Sequence, residues 1–211
     1  MNIVFDFGAV VFDWQPTRLV TQHFPERCAN PAEARQLAAA VFDHADWRGF
    51  DSGTLALEQV IARTAVRLDL PEARLASALA PIGEQLAPIA CNVELLASLR
   101  ARRGRQGDLQ LYFLSNMPGP FARTLERRHD FLQWFDGGIF SADVKLGKPD
   151  PAIFKLLASR YGLDGARTLF IDDSLANVQA ADALGWATIH CKAPERLPGE
   201  LLNKLDAFRS T

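Results

Sequence analysis

Four groups of polar residues in this chain carry side chains suited to handling a charged ester: Asp6, Ser115 with Asn116, Lys148, and Asp172 with Asp173. A carboxylate such as Asp6 can attack as a nucleophile or hold a hard cation, a lysine supplies a fixed positive charge, and an adjacent acidic pair offers oxygen ligands to a divalent metal. Each group also has an ordinary explanation. Ser115 or Ser174 could cap a helix, Lys148 could be a solvated loop cation, and Asp172 with Asp173 could form a turn. Position sets them apart, because each follows a short apolar run or opens the loop after one.

Those runs are "NIVFDFG", "LQLYFLSN", "GGIFSA", "TLFIDDS" and "WATIHC". All are short and rich in β-branched or aromatic residues, as strands buried on both faces of a parallel sheet are. Helical patterns separate them. "PDPAIFKLLASRYG" places Asp150 as N-cap, Pro151 in the first turn and Gly162 as the stop, and "DSLANVQAADALG" repeats the arrangement, closing at Gly185. Alternating strands and helices predict an α/β, doubly wound, Rossmann-like, mainly parallel sheet whose ligand crevice lies at the carboxyl ends of the strands. That crevice would gather the four polar groups.

The alternation breaks between Gln15 and Ala90, where no strand is evident and "LALEQVIARTAVRLDL" puts Leu57, Ile61, Ala65 and Leu68 on one helical face. Residues 15–90 are therefore expected to form an inserted all-helical cap domain, with residues 1–14 and 91–211 as the core. Pro81, Gly83 and Pro88 mark the return path. The basic segment "LRARRGRQGDLQ" reads as a solvated helix end and a loop at Gly104 and Gly107.

Composition narrows the partners. The 211 residues suit one core with a modest insert, and 23 basic against 25 acidic side chains leave a net charge of -2 with no long basic run, which argues against nucleic acid. Three scattered cysteines, Cys28, Cys91 and Cys191, fit a reducing cytoplasm. The apolar N-terminus has no basic leader and is broken by Asp6 and Gly8, and no window is long enough to span a bilayer, so a cytoplasmic protein with no membrane partner is expected. Oligomeric state is not legible.

The order Asp, Ser, Lys, Asp-Asp resembles the haloacid dehalogenase superfamily, with "FDFG" as its first motif, "FLSN" its second, "KLGKPDPAIF" its third and "FIDDSLANVQAA" its fourth. The insert is placed like that superfamily's first-type cap. The pairing of D-x-G with "IDDSxxN" resembles the branch of α-glucose-1-phosphate phosphatases and the phosphatase domain of soluble epoxide hydrolase. The resemblance implies a Mg²⁺-dependent phosphatase that acts on a small phosphorylated metabolite, with a sugar phosphate as one candidate, through an aspartyl-phosphate on Asp6. Two positions depart from the superfamily: Gly8 replaces the usual second Asp, and Val10 the usual Thr.

The physics of the residues agrees with that role. A phosphate ester and a carboxylate 4 Å apart repel by roughly 4 kcal/mol per charge pair at an effective dielectric of 20, so attack by Asp6 needs cations. Asp173 could hold Mg²⁺ with Asp6 and the Gly8 carbonyl, Lys148 is kept extended by Pro149, and the Ser115 hydroxyl and Asn116 N–H could receive phosphoryl oxygens. Asn177 could orient Asp172 or Lys148. Gly8 removes the general acid, a loss of about 10² to 10⁴ in rate that matters least for acidic leaving groups. Asp13 is the nearest carboxylate that could replace it or gate the site, and Trp14, Trp47 and Arg48 could meet a sugar ring. Two other readings remain open: hydrolytic dehalogenation through an ester on Asp6, and a non-catalytic binding or regulatory protein.

Overall fold

The computed structural model describes residues 1–106 and 109–209. The five apolar runs are the strands β1 (Asn2–Phe5), β2 (Gln110–Ser115), β3 (Gly137–Phe140), β4 (Thr168–Asp172) and β5 (Ala187–His190), all parallel in the order β3-β2-β1-β4-β5. Because side chains alternate along a strand, Ile3 and Phe5 enter one apolar cluster and Val4 the other. Both faces are covered, which is why these strands read as continuous apolar runs.

Between β1 and β2 lie six shorter helices, α1 (Pro16–His23), α2 (Pro31–Phe42), α3 (Ala45–Asp51), α4 (Leu57–Leu68), α5 (Glu72–Leu79) and α6 (Ile82–Gln85), and then α7 (Ala90–Gln106). In α4, Ile61 and Ala65 are buried while Leu57 and Leu68 pack half-buried against the same cluster. The return path runs alongside the exit from β1: the Asp13 N–H donates to the Ala87 carbonyl and the Ile89 N–H to the Val11 carbonyl. The helical region is thus hydrogen-bonded to the core where it leaves and where it re-enters. The helix α7 continues through Gly104 to Gln106, so Gly104 is helical and not part of a loop, and Gly107 lies outside the described residues. Arg100 of the basic segment stacks its guanidinium over Trp134, 5.5 Å from the ring centre.

The remaining helices are α8 (Gly119–Arg128), α9 (Ser141–Val144), α10 (Pro151–Tyr161), α11 (Leu175–Asp182) and α12 (Leu197–Arg209). The Asp150 carboxylate caps α10 by accepting from the Ala152 N–H at 2.8 Å, and Gly162 ends it in the left-handed region at φ 65°. The helix α11 stops at Asp182, earlier than expected, and Gly185 with φ 80° serves the turn into β5.

Candidate active site

The sheet register sets the site. Phe5 pairs with Phe113 on one side and Ile171 on the other, and the Asp6 N–H extends the pairing to the Ile171 carbonyl at 2.8 Å, so Asp6 leaves the central strand beside Asp172. This is where the chain's progress across the sheet reverses, the place where open parallel sheets bind ligands.

Lys148 arrives from the loop before α10 and is fixed at both ends. Its backbone N–H donates to Asn116 Oδ1 at 2.8 Å and its carbonyl accepts from Asn116 Nδ2 at 2.9 Å. Its ammonium, on a residue only 5% exposed, lies 2.9 Å from Asp6 Oδ1 and 2.6 Å from Asp172 Oδ2. Asp172 is fully buried and saturated: Oδ1 accepts from the Ser174 N–H at 2.8 Å and Asn177 Nδ2 at 3.0 Å, while Oδ2 takes the lysine. Asn177 therefore orients Asp172, one of the two alternatives posed by the sequence. The second function of Asn116, clamping the Lys148 backbone with its side chain, has no signature in a local motif.

Two carboxylates retain free oxygens. Asp6 Oδ1 accepts from the Phe7 N–H at 2.7 Å as well as from Lys148, but Oδ2 accepts no hydrogen bond from a described residue. The Asp173 carboxylate takes a hydrogen bond from its own backbone but from no other described residue, and its carbonyl accepts from His190 Nε2 at 2.9 Å. One oxygen each from Asp6, Asp172 and Asp173 lie within 4.8 Å of one another. One ammonium thus faces three carboxyl groups.

The imbalance appears in their titration. Burial raises the Asp6 carboxyl to about 7, with Asp172 and Asp173 adding to the effect and Lys148 opposing it. Burial, then Asp172, raises Asp173 to about 6. Asp173 has an exposed face, so solvent screening makes the burial component weaker for it than for Asp6. Burial pulls Lys148 downward, yet Asp172 and Asp6 outweigh it and keep the ammonium protonated. Two oxygen donors without partners, in a cluster short of positive charge, fit a hard divalent cation such as Mg²⁺.

The site opens into a cavity of about 560 Å³ between the strand ends and the helical region. Gly8 lines it. A Cβ built there would touch Trp14 at 3.6 Å, an ordinary contact, and the left-handed backbone strain falls instead on Ala9, with φ 53°. Ser115, 1% exposed at the end of β2, lies behind Asn116 and Met117, which form the wall at this strand end. Asp13 is not among the residues lining the cavity. It is exposed, accepts from Gln15 Nε2 at 2.8 Å, and borders a separate hollow with Arg18 and Gln22, because its backbone is drawn toward Ala87 on the return path.

Trp14, Phe42, Trp47 and Phe121 give the cavity an aromatic lining. Trp14, Phe42, Trp47, Phe50 and Phe121 form a chain of edge-to-face pairs with centroids 4.7 to 5.5 Å apart, linking the helical insert to α8 of the core. Trp47 is 6% exposed, so most of its ring is packing and only part faces the cavity. Arg48 lines the same wall and donates to the Asp43 carbonyl. Asp51, at the end of α3, also faces this cavity. Sequence reasoning missed it: the Gly53 after it signals a helix stop, but nothing local distinguishes a carboxyl at that stop from a solvated one.

Comparison with known proteins returns one family. Residues 3–185 match the model of the haloacid dehalogenase-like hydrolases. A sesquiterpene phosphatase of Aspergillus oryzae is 26% identical over 187 residues, covering 89% of this chain and 87% of its own. The phosphoglycolate phosphatase of Salmonella paratyphi A is 36% identical over 81 residues, which are 38% of this chain and 32% of that protein. Among solved structures, a HAD family enzyme of Bacteroides thetaiotaomicron, in complex with magnesium and inorganic phosphate, aligns with TM-score 0.65 at 21% identity, covering 89% of this chain and 92% of that one. The L-2-haloacid dehalogenase of Xanthobacter autotrophicus aligns with TM-score 0.62 at 21% identity, covering 99% and 86%. At these identities the structural likenesses speak for the fold.

Proposed function

The chain belongs to the haloacid dehalogenase-like hydrolases, and we propose that it is a Mg²⁺-dependent phosphatase that hydrolyses small phosphorylated metabolites through an aspartyl-phosphate on Asp6. The observation that carries this reading is the pair of unengaged carboxylates, Asp6 Oδ2 and Asp173, beside a lysine already shared between Asp6 and Asp172. The carbon–halogen centre that a dehalogenase attacks carries no negative charges of its own, so attack there needs no second cation. A phosphate monoester brings about two, which Lys148 alone leaves largely unbalanced.

In this reading the Asp6 carboxylate attacks phosphorus while Lys148 meets the charge on the phosphoryl oxygens. Asn116 holds Lys148 in place and Asn177 holds Asp172, so both act by positioning. Asn116 contributes the β2 end of the phosphate cradle, with the buried Ser115 just before it in the chain. Asp6, Asp173 and the Gly8 carbonyl would hold Mg²⁺, whose contribution is further neutralisation of the phosphoryl group. Water then releases phosphate from Asp6. Residues 15–90 act as the cap over a core made of residues 1–14 and 91–211.

The paired D-x-G and "IDDSxxN" motifs favour a sugar 1-phosphate, with Arg48 available to the hydroxyls. The aromatic wall at Trp14, Phe42 and Phe121 favours an apolar alcohol instead, as does the likeness to a sesquiterpene phosphatase. Phosphate release from a panel holding sugar 1-phosphates, prenyl monophosphates and phosphoglycolate, with Mg²⁺ or EDTA, tests the reading. Turnover of at least one member that EDTA abolishes and Mg²⁺ restores supports it. Full turnover in EDTA contradicts it.

A further inference from the structure

We propose that Asp51, reaching the cavity from α3, is the proton donor to the leaving-group oxygen, taking the place of the carboxyl that Gly8 lacks. The inference rests on the phosphatase reading above. It starts from the carboxyl groups lining the cavity, which are Asp6, Asp43, Asp51 and Asp173. Asp6 and Asp173 belong to the strand-end cluster. Asp43 is exposed just beyond the end of α2. Asp51 is part-buried, and its carboxyl accepts no hydrogen bond from a described residue. It is nevertheless close enough to Asp6 and Lys148 to feel both charges.

Its placement is held by the core. The Ser141 hydroxyl donates to the Asp51 carbonyl and accepts from the Met117 N–H at 2.9 Å, so one hydroxyl ties the end of α3 to the ends of β2 and β3. Two residues on, Gly53 is left-handed at φ 67° and lies so close to α9 that a Cβ would come within 2.9 Å of the Ala142 carbonyl oxygen. The last turn of α3 is therefore seated against α9, and Asp51 is held at the cavity it shares with Asp6 and Lys148. Burial pushes its carboxyl well above the ordinary range, Asp6 adds to that and Lys148 opposes it, which favours the protonated form.

The two half-reactions balance. As the Asp6 carboxylate bonds to phosphorus, the ester P–O bond breaks, its electron pair stays on the departing oxygen, and that oxygen takes the Asp51 proton. The Asp51 carboxylate then accepts a proton from the water that attacks phosphorus, the bond from phosphorus to Asp6 breaks, and hydrogen phosphate leaves with both aspartates restored.

The test compares kcat/KM, which reports the step in which the alcohol departs, for an alkyl phosphate and 4-nitrophenyl phosphate. In Asp51→Asn the alkyl ester is expected to lose about 10² to 10⁴ in kcat/KM while the aryl ester changes little, since its phenolate leaves without a proton. Equal losses for both esters, or none for either, overturn the assignment. The wild-type protein gives a second measure if the variant folds poorly: with an internal acid the dependence of kcat/KM on leaving-group pKa is shallow, and a steep dependence overturns the assignment. Absence of a phosphoenzyme on wild-type Asp6 would instead mark failure of the phosphatase reading.

Discussion

The sheet side of the cavity and the cap side are built by different means. On the sheet side Lys148, Asp172, Asn116 and Asn177 hold one another through hydrogen bonds of 2.6 to 3.0 Å, while Asp6 and Asp173 keep oxygens that take no hydrogen bond from another described residue. On the cap side Trp14, Phe42, Trp47 and Phe50 meet edge to face, and the polar groups, Arg48 and Asp51, stand among them. A hydrogen-bonded network fixes partner and direction, whereas aromatic packing tolerates exchange of one apolar group for another of similar volume. On the proposed reading phosphoryl transfer belongs to the sheet side, and the cap side meets the leaving group, to which Asp51 supplies the proton.

Four experiments press on that division. The largest effect is expected at the nucleophile: Asp6→Asn should abolish turnover of every substrate while keeping the fold, measured by phosphate release and circular dichroism, because the amide is nearly isosteric but cannot attack. Retained turnover would end the covalent account. Lys148→Met should cost about 3 to 5 kcal/mol of stability in urea unfolding, since it leaves Asp6 and Asp172 buried without their shared cation, and should remove activity on all substrates alike.

The third concerns pH. In the folded chain Asp6 titrates at about 7 and Asp173 at about 6, both above the ordinary 3.8. The metal-free fold keeps protons that the unfolded chain releases, so its stability should fall as pH rises from about 4 to about 7. A divalent cation binds the deprotonated form, so the Mg²⁺-induced rise in Tm should grow over the same window and disappear in Asp173→Ala. A Tm indifferent to Mg²⁺ at the upper end would contradict the proposed metal site. The smallest effect is expected at the cap: Arg48→Ala should change stability by less than about 0.5 kcal/mol yet reorder substrates by KM. Unchanged ranking would return specificity to the sheet side.

The two sides also differ in how much the sequence reveals. Strand-end residues are legible because a parallel sheet turns five separated runs into one edge, so Asp6, Lys148, Asp172 and Asp173 converge once the strand pattern is read. Asn177 was legible for the same reason, in the first turn of the helix after β4. Asp51 was not, because its position depends on how α3 seats against α9, a contact between segments 90 residues apart that leaves no periodicity behind. Asp13 misled by proximity: it is seven residues from Asp6, but the chain turns at Phe7–Phe12 and carries it to another face. His190 likewise reaches the Asp173 carbonyl only through the pairing of β5 with β4.

The most direct test of the covalent account is chemical trapping. A substrate found by phosphate release is mixed with the Mg²⁺-loaded enzyme, quenched with borohydride during turnover, digested, and read by tandem mass spectrometry. Reduction of an aspartyl-phosphate yields homoserine, and the account predicts it at residue 6, absent without substrate and absent in Asp6→Asn. Active enzyme under rapid quench with Asp6 unmodified, or with homoserine at another aspartate, would contradict it.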